Sequence, residues 1–580
     1  MADVAALLRE ALLHEQAGRN AEAVAAYESI LAQYDEHPTA LLKLGVHARA
    51  SGRLDDAYKL LGRALKSASA RGSNALPMRL ALAELATDAR SQDASAWLEL
   101  GGILMEVELL SAAAREVRPA PLERALSAFE SALALAPEAP AVLSQAAMAF
   151  RYACAWDHAD ACVRKLESVA SDDTKQLIVS PMMAATLIDE ASLQARMIAD
   201  FSVVALPKAQ RAPGIAQQRG DKLRIGYLSS DFHDHATAHL AAGVLDHHDH
   251  SRVTMFAYAH DRDDGSAMRK RLVAAFDHWR DVHSLDDAKA AALIKSDALD
   301  VLVDLKGHTH GNRLGILASR PAPTQIHWLG FPGTLAYDGI DALVADSIVV
   351  PSGAEVHYRE PILRLPNCYQ ANDSARPLPP PASRSAVGLT DDAIVLVSFN
   401  QTCKLDRRFV DAWLDVLSHH PATLLWLTVP HALARENLQA AARQRGIAIE
   451  RIVFAPFAKQ IDHLARLRCA DLALDVLPYG SHTTGSDALW CGVPLLTLAG
   501  ETFAGRVGAS LVSAAGLAEM CAESFDDYCA RLNDLVSDRA QLPAHKAHLE
   551  RERMRLPVFD TSQFTRDFEK MLERAANRNF

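Results

Sequence analysis

A segment late in the chain joins an apolar run to residues that favour binding of an anion. Residues 472–477 are mostly apolar, Pro478 and Gly480 follow, and residues 481–487 read Ser-His-Thr-Thr-Gly-Ser-Asp. This order predicts a buried strand, a tight turn and the start of a helix. The free N–H groups and the positive dipole end of that helix would face the carboxyl edge of a sheet, where a pyrophosphate binds readily. A helix cap without any ligand is an equally good interpretation of these residues alone.

The segment lacks the two common phosphate-binding motifs. No Gly-Lys-Ser or Gly-Lys-Thr follows the turn, which excludes a Walker A loop, and the spacing G-x-G-x-x-G is missing. A nucleotide bound here would be held by a different kind of loop.

A histidine-rich segment follows the first predicted strand of the α/β region. His235 comes after the carboxyl end of that strand, and a histidine titrates near neutral pH, which suits a general base. Its i to i+4 spacing from His239 also permits two zinc ligands on one helix face. Position 236 is not Glu, so the H-E-x-x-H motif of zinc hydrolases is missing. A helix-capping or buried histidine is a further interpretation, and it outweighs the zinc site.

A second histidine cluster, Asp-His-His-Asp-His at residues 246–250, raises the same question. It lies between predicted elements. We therefore expect a solvated loop there and not a metal site.

Lys404 lies just after a predicted buried strand at residues 394–399. The loop after such a strand is expected at the rim of a ligand cleft, and lysine is a compact positive charge for a phosphate. Gln401, three residues earlier, is either a ligand-binding or a helix-capping amide. Most lysines are solvated surface residues, so position alone does not decide the role of Lys404.

The elements that would position these residues form two successive α/β regions. From Lys222 onward, strand-like segments alternate with helical ones, which is typical of doubly wound parallel sheets. A proline-rich break at residues 377–381 separates the two series and predicts a hinge or spacer. Strands are predicted at residues 223–229, 253–259, 299–305, 324–329 and 342–350 in the first series, and at 394–399, 424–429, 451–455, 472–477 and 495–498 in the second. Because ligands of such sheets bind at the carboxyl ends of strands, we expect a cleft between the two.

The first 170 residues are rich in Ala and Leu and repeat with a period of 34 residues. The repeated residues are Gly18, Arg19, Ala23, Tyr27, Ile30 and Leu31, which recur as Gly52, Arg53, Ala57, Leu61, Ala64 and Leu65. This is the period of the tetratricopeptide repeat (TPR), whose helix pairs stack into an α-solenoid. Further copies lie at residues 125–166, with a first helix at Trp97 displaced by an insertion of about 12 residues. We expect roughly four repeats and a concave surface for a peptide or protein; a generic helical bundle is the less favoured alternative.

These patterns divide the chain into six parts, and the fold class is α + α/β. We predict TPR-like repeats at residues 1–170, a helical linker at 171–221 that breaks at Pro213 and Gly214, and a first lobe at 222–376. A proline-rich connection at 377–384, a second lobe at 385–558 and a C-terminal helix at 559–580 follow. The last helix is amphipathic and is expected to cross back over the first lobe.

Composition excludes several classes of protein. The net charge of −12 argues against an unspecific nucleic-acid binder. No apolar run reaches about 18 residues, and the first ten residues lack the regions of a signal peptide, so we expect a cytoplasmic protein without a membrane segment. The eight cysteines never form C-x-x-C, which indicates neither a zinc ribbon nor a disulfide framework. We expect them to be reduced and mostly buried.

Five motifs, in order, resemble those of one family. They are Gly-Tyr-Leu-Ser-Ser-Asp-Phe-His-Asp-His-Ala-Thr-Ala-His at 226–239, Asp-Leu-Lys-Gly-His-Thr at 304–309, Trp-Leu-Gly-Phe-Pro-Gly-Thr at 328–334, Phe-Asn-Gln-Thr-Cys-Lys at 399–404 and the turn at 480–485. Behind TPR repeats, this set resembles the O-linked N-acetylglucosamine (O-GlcNAc) transferase family of inverting glycosyltransferases, and a bacterial member in particular. The resemblance covers nearly the whole chain. It implies a two-lobed, Rossmann-like GT-B body, UDP-GlcNAc as donor, Ser or Thr hydroxyls of proteins as acceptors, and no metal or other cofactor.

The resemblance also implies roles for single residues. Lys404 would stabilise the departing diphosphate, with Gln401 nearby, and His235 would lie at the acceptor hydroxyl. The proton would go to His235, to Asp231 or to the donor phosphate. The donor-binding residues would be Leu329, Gly330 and Pro332 at the sugar, His482, Thr483 and Thr484 at the phosphates, and Asp487, His463 and Arg466 at the ribose and base. A plain strand-end turn at 329–334 and a simple helix-dipole partner at Asp487 are the alternatives.

The chain departs from the animal members of that family at two places. Gln460 occupies the position of a lysine in the animal enzymes, with Lys459 beside it, while their histidine matches His463. A histidine that precedes their first strand has no clear counterpart near Asp200. Two other functions stay open: protein O-fucosylation from GDP-fucose, as in SPINDLY-like relatives, and a TPR scaffold that has lost catalysis, against which the intact Lys404 and His235 argue.

Overall fold

The computed structural model describes residues 4–70, 74–114, 121–210 and 221–578, without the side chains of residues 111–114. The chain forms two compact units, which are described separately. The first comprises residues 1–153 and 158–166, and the second comprises residues 154–157 and 167–580. In the described ranges, no helix is both long and apolar enough to cross a membrane. The predicted break at Pro213 and Gly214 lies outside the described residues.

The TPR prediction is confirmed. Gly18 and Gly52 adopt φ of +71° and +74° in the turns after α1 and α3, a left-handed conformation that glycine adopts readily. Before residue 171 the described helices are α1 (Val4–Gln16), α2 (Asn20–Gln33), α3 (Pro38–Ala50), α4 (Leu54–Ala70), α5 (Leu76–Ala89), α6 (Ala94–Ala114), α7 (Pro121–Leu135), α8 (Pro140–Tyr152) and α9 (Trp156–Ala170). Six of the eight recurring apolar residues are fully buried, namely Ala23, Tyr27, Ile30, Ala57, Leu61 and Ala64, and Leu31 and Leu65 are partly buried. The 34-residue period therefore marks the core of the repeats.

The later repeats contain more helix than the sequence predicts. Helix α5 has no counterpart among the predicted copies, and α6, which begins the displaced repeat, is 21 residues long. The inserted residues thus extend a helix instead of forming a loop up to residue 114. Gly101 of α6 allows α7 to approach, because a Cβ at this position would lie 2.8 Å from the ring of Phe129.

The second unit contains two parallel sheets, as predicted. The first has seven strands in the order β3-β2-β1-β4-β5-β6-β7. Its strands are β1 (Leu223–Ser229), β2 (Val253–Ala259), β3 (His278–Asp281), β4 (Val301–Asp304), β5 (Thr324–His327), β6 (Ala342–Asp346) and β7 (Ile362–Leu365). The sequence did not predict β3 and β7. Both are edge strands, and β3 reads His-Trp-Arg-Asp with no apolar run because its edge is partly exposed.

The second sheet has six strands in the order β10-β9-β8-β11-β12-β13. Its strands are β8 (Ile394–Ser398), β9 (Thr423–Leu427), β10 (Ile452–Phe454), β11 (Leu472–Leu474), β12 (Leu495–Leu498) and β13 (Cys521–Ala522). The edge strand β13 was not predicted, since two residues give no pattern. Strand β11 ends three residues earlier than predicted. Asp475 follows it, and the chain turns there toward the candidate site.

Helices precede, separate and follow the strands of the two sheets. They are α10 (Pro181–Leu187), α11 (Ala191–Ala205), α12 (Ala236–His247), α13 (Ala267–Ala275), α14 (Asp287–Ser296), α15 (Leu314–Ala318), α16 (Arg407–His419), α17 (Ala432–Gln444), α18 (Gln460–Leu467), α19 (Thr483–Trp490), α20 (Phe503–Ala514), α21 (Phe525–Ser537), α22 (Gln541–Glu552) and α23 (Thr561–Ala576). The prediction that the last helix returns to the first lobe is confirmed. Phe568, Met571 and Leu572 of α23 are buried in the core of the first sheet, with Trp328 among their neighbours.

The two crossings between the lobes are bonded to each other. On the return path, the hydroxyl of Thr561 donates to the carbonyl of Asn372 at 2.7 Å and accepts from the N–H of Ser374 at 2.9 Å. The proline-rich connection is also bound to the second lobe, because the Pro379 carbonyl accepts from Arg468 at 2.7 Å. It is therefore anchored along its length and is not a free spacer.

The prediction of a solvated loop at residues 246–250 is wrong for His248. Its side chain is fully buried, with Nδ1 2.9 Å from the Glu569 carboxylate and Nε2 2.7 Å from the Tyr227 hydroxyl. Glu569 belongs to α23, so this histidine fixes the C-terminal helix to the first lobe. None of the eight described cysteines forms a disulfide, and six of them are buried, as expected.

Candidate active site

The candidate residues gather at the topological switch point of each sheet. Strand β1 lies between β2 and β4, and strand β8 lies between β9 and β11, so the crossovers on either side run in opposite directions. Ligands of open α/β sheets bind at such points, beyond the carboxyl ends of the strands. In the first lobe Asp231 and His235 follow β1, and Lys306 follows β4. In the second lobe Lys404 follows β8, and the turn at Gly480 follows β11.

Lys404 ends a short 3₁₀ turn (Thr402–Lys404) and points at the Gly480 turn. Its Nζ donates to the Gly480 carbonyl at 3.1 Å and lies 3.8 Å from the centre of the Tyr479 ring. Burial lowers the pKa of Lys404 to about 8. Both partners are uncharged, so the ammonium keeps its positive charge available for an anion.

The turn before α19 is held by polar side chains beneath it. The Asp475 carboxylate accepts from the N–H of Ser481 at 2.5 Å and from the hydroxyl of Thr497 at 2.7 Å. Asn400 donates to the Ser481 hydroxyl at 2.9 Å and accepts from the Thr484 hydroxyl at 3.1 Å. This network fixes the turn in place without a ligand.

His482, and not a small polar residue, occupies the N-cap of α19. Within the described structure its side chain makes no capping bond to the helix. It stacks on Tyr479 with ring centres 4.7 Å apart, and Nε2 lies 3.2 Å from the Ala504 carbonyl. Burial and Lys404 lower the pKa of His482 to about 3, so the ring is neutral and donates Nε2–H to that carbonyl. Helix α19 begins at Thr483. Because the His482 side chain does not cap it, the first N–H groups of the helix can donate to an anion in the cleft.

Asp487 is buried and paired with a residue that the sequence did not single out. Arg376, on the path between the lobes, donates to its Oδ1 at 2.8 Å. The guanidinium lies over Trp490 and Phe559, 4.8 and 5.4 Å from their ring centres. Burial raises the pKa of Asp487, and Arg376 opposes that rise. A role of Asp487 at a ribose stays a prediction.

A set of planar groups lies beside the second-sheet strands. Arg466 of α18 stacks over Phe399 at 4.8 Å, and its Nη2 lies 3.2 Å from Nδ1 of His463. The rings of His463 and Phe399 are 5.5 Å apart. Burial and Arg466 lower the pKa of His463 to about 4, so this imidazole is neutral. Flat aromatic and guanidinium surfaces with hydrogen-bonding edges suit a nucleobase.

Gln401 is exposed at the start of the 3₁₀ turn. Its amide makes no capping bond within the described residues, so the helix-capping interpretation finds no support. Gln460 begins α18, and Lys459 precedes it at the N-cap.

His235 caps α12 and lies beside Asp231. Its Nδ1 accepts from the N–H of Thr237 at 3.2 Å and is 3.4 Å from Oδ2 of Asp231. The imidazole is 43% exposed, and its partial burial lowers the pKa of His235. His239 turns elsewhere and bonds Asp234 at 2.7 Å. In the described part of the chain, no group of three His, Cys, Asp or Glu side chains is arranged for a metal ion.

Lys306 is the partner of Asp231 that the sequence did not reveal. Its Nζ lies 2.8 and 2.9 Å from the two carboxylate oxygens, and both side chains are buried. Burial alone would raise the pKa of Asp231, but His235 and Lys306 outweigh it and the pKa is lowered. The Asp231 carboxylate is therefore ionised and paired with Lys306.

The loop at residues 329–334 approaches the backbone after β4. Leu329 adopts φ of +73°, which is uncommon for a residue with a side chain. A Cβ at Gly330 would lie 2.7 Å from the Lys306 carbonyl oxygen, so only glycine fits. Pro332 is buried. The glycine is explained by this neighbouring loop, and contact of the loop with a donor sugar stays a prediction.

Comparison with known proteins identifies the family. Residues 191–380 and 378–568 match the profile of glycosyl transferase family 41, and residues 14–76 match a tetratricopeptide repeat profile. This chain belongs to glycosyl transferase family 41.

Several known proteins are similar to this chain. The probable UDP-N-acetylglucosamine–peptide N-acetylglucosaminyltransferase SEC of Arabidopsis thaliana is 33% identical over 402 residues, 68% of this chain and 41% of that protein. The Caenorhabditis elegans UDP-N-acetylglucosamine–peptide N-acetylglucosaminyltransferase is 27% identical over 545 residues, 72% of this chain and 47% of that protein. The chain thus spans less than half the length of these relatives. A mutant of the Thermobaculum terrenum O-GlcNAc transferase matches with a TM-score of 0.67 and 26% identity, covering 100% of this chain and 98% of that one.

Proposed function

We propose that this family 41 member transfers GlcNAc from UDP-GlcNAc to Ser or Thr hydroxyls of protein acceptors, with inversion at the sugar carbon. One arrangement carries the proposal: Lys404 and the N-terminus of α19 meet at the Gly480 turn. Both are positive, and both lie where ligands of the second sheet bind. The names of the relatives, which are peptide N-acetylglucosaminyltransferases, support the choice of sugar and acceptor.

In the proposed reaction the acceptor oxygen bonds to the anomeric carbon while the bond from that carbon to the β-phosphate oxygen breaks. The bonding electron pair leaves with UDP, so negative charge grows on the diphosphate. Lys404 and the N–H groups of α19 stabilise that charge. The hydroxyl proton passes to a base near the acceptor, for which His235, Asp231 and an oxygen of the donor phosphate are the candidates.

The hydrogen bonds of His235 limit its use as a base. Because Nδ1 accepts from Thr237, the neutral ring carries its proton on Nε2. Taking a proton at Nε2 requires Nδ1–H to face Asp231 instead, and that carboxylate is already held by Lys306. We therefore assign His235 proximity to the acceptor hydroxyl and not the role of sole base.

The nucleotide decides between GlcNAc transfer and the alternative of fucose transfer from GDP-fucose. We expect saturation-transfer NMR to show UDP bound through its uracil protons, because His463, Arg466 and Phe399 form a flat site for a base. GDP at the same concentration should give a weaker signal that UDP displaces. Preferred binding of GDP would reject UDP-GlcNAc as the donor, and binding of neither would favour a scaffold without catalysis.

Nucleotide binding is expected to need no metal ion. The ammonium of Lys404 and the end of α19 supply the positive charge that a divalent ion would otherwise provide. Calorimetry with UDP should therefore give the same affinity before and after treatment with EDTA. Loss of binding that Mg²⁺ or Mn²⁺ restores would contradict this expectation.

The TPR repeats are proposed to supply acceptor surface. Removing them should impair transfer to whole proteins more than hydrolysis of the donor, because the sheets that hold the nucleotide lie in the second unit. The deletion should end at residue 153. Trp156 belongs to the core of the second unit, and its indole N–H donates to the carbonyl of Leu405, next to Lys404, at 2.8 Å.

The truncated protein should be compared with the full chain in both assays after thermal unfolding has shown that it is folded. Equal loss of transfer and hydrolysis in a folded truncation would contradict the proposed division of labour.

We also propose a cytoplasmic location. None of the eight cysteines, all of them within the described residues, forms a disulfide, and thiols persist in reducing compartments.

A further inference from the structure

Two loops of the first lobe meet beneath Asp231. The lysine loop, residues 304–309, follows β4 and carries Lys306, and the glycine loop, residues 329–334, follows β5. The loops approach each other at two places. Gly330 faces the Lys306 carbonyl, and a Cβ at Gly307 would lie 2.9 Å from the Cβ of Phe331 in the glycine loop. Any shift of one loop therefore moves the other.

His327, the last residue of β5, joins the two loops through its ring. Nδ1 lies 2.9 Å from Oδ2 of Asp304, at the start of the lysine loop. Nε2 lies 2.9 Å from the carbonyl of Phe331, in the glycine loop. The side chain is fully buried, so both bonds are made away from water.

The geometry fixes where the protons lie. A backbone carbonyl only accepts, so Nε2 must carry a hydrogen. On the other side of the ring, the Asp304 carboxylate already accepts from the N–H of Gly307 at 2.6 Å and of Lys306 at 3.3 Å. Such bonds stabilise an ionised carboxylate. Nδ1 must then carry a hydrogen as well, and the ring is an imidazolium.

We infer that His327 is a positioning residue: as an imidazolium held by Asp304 and the Phe331 carbonyl, it ties the lysine loop to the glycine loop and so sets the position of Lys306 under Asp231 and His235. The consequence for glycosyl transfer rests on the proposed function. The charge state of His327 and the coupling of the two loops do not depend on that function.

The groups around His327 agree with this assignment. Burial alone would lower its pKa, but the hydrogen bond and charge of Asp304 outweigh burial and the pKa of His327 is raised. Glu360 adds negative charge from the glycine-loop side, where it accepts from the Thr334 hydroxyl at 2.6 Å. The nearby His308 is neutral, since burial lowers its pKa to about 4. With a raised pKa, the link is complete at low pH and is lost as the pH rises through the folded value.

The protonation state can be measured directly on the full chain labelled with ¹⁵N-histidine. We expect long-range ¹H–¹⁵N spectra at pH 7 to contain one ring with two protonated nitrogens that is absent from His327→Gln. In Asp304→Asn the same ring should lose the proton at Nδ1. A wild-type spectrum in which that ring shows one unprotonated nitrogen at pH 7 overturns the inference, whatever the enzymatic activity. Either variant that folds assigns the ring, and through-bond correlation of the ring to the His327 backbone assigns it in the wild-type protein if neither does.

The coupling is tested with a matched histidine. His327→Gln should speed hydrogen exchange of peptides from both loops, while His250→Gln, which breaks the pair of His250 with Asp277 elsewhere in the first lobe, should leave these peptides unchanged. His327→Gln should also lower the turnover of transfer about tenfold with the donor KM within a few-fold, because small misplacement of reacting groups reduces rate. Exchange that rises in one loop only, or equally in both variants, would overturn the coupling. Absence of transfer by the wild-type protein would reject the proposed function and leave the exchange result valid.

Discussion

Replacing Lys404 by alanine is expected to lower the turnover of glycosyl transfer by about a hundredfold or more, the usual effect of removing one pre-organised electrostatic group. The reason is its placement. The ammonium lies 3.1 Å from the Gly480 carbonyl, beside the positive end of α19, and its contacts there are with uncharged groups. It is thus oriented before any diphosphate arrives.

His235→Ala should behave differently. His235 lies after β1 in the first lobe, whereas the nucleotide is proposed to bind the second lobe. Its loss should depress transfer while leaving UDP affinity within a few-fold. Lys289→Ala serves as the matched control, because Lys289 is exposed and pairs with Asp286 on the surface of the first lobe. This variant should retain both transfer and UDP affinity.

Calorimetry with UDP and a transfer assay on each variant check this pair of expectations. Because the pKa of Lys404 is about 8, wild-type affinity for UDP should fall as the pH rises through that value, and Lys404→Ala should lack this alkaline fall. If His235→Ala abolishes UDP binding while Lys404→Ala transfers normally, the placement of both residues is mistaken.

Phe568→Ala is expected to destabilise the second unit by about 3–5 kcal/mol, the range for removing a buried aromatic side chain. Phe568 is fully buried on α23, and its ring centre is 4.3 Å from that of Trp328. Trp328 is itself fully buried and immediately precedes the glycine loop. The C-terminal helix therefore completes the core on which that loop rests.

Urea unfolding followed by tryptophan fluorescence measures the loss. Phe564→Ala is the matched control, since Phe564 stacks on Trp328 from the same helix, at 5.9 Å, but is only partly buried. Its substitution should cost clearly less. Equal midpoints for the two variants would show that α23 does not contribute core packing at residue 568.

The sequence predicted the central strands because burial on both faces produces long apolar runs. It did not predict three of the four edge strands, β3, β7 and β13, whose residues need not be apolar on both faces. The loop residues after these strands could also be predicted as site residues. Once the strands of a parallel sheet are assigned, the residues that follow them must lie at one edge of the sheet.

The remaining site residues were missed because their partners are distant in sequence. Lys306 is 75 positions from Asp231, Arg376 is 111 from Asp487, and His248 is 321 from Glu569. A single lysine or histidine in a sequence is most simply interpreted as a surface residue. Only the packed structure reveals that these side chains are buried opposite a carboxylate.

The bonded pair of crossings between the lobes restricts how the cleft can move. Two segments of the chain run side by side where one lobe meets the other, and hydrogen bonds from Thr561 to Asn372 and Ser374 join them. A single crossing would allow the lobes to twist about its axis, but two joined crossings form a hinge with one axis. The lobes can open and close about that hinge, and rotation of one sheet past the other would have to break the hydrogen bonds at Thr561. Substrate entry and product release are therefore expected to follow one path of motion. The switch points of the two sheets would move apart along this path and return to the same relative position.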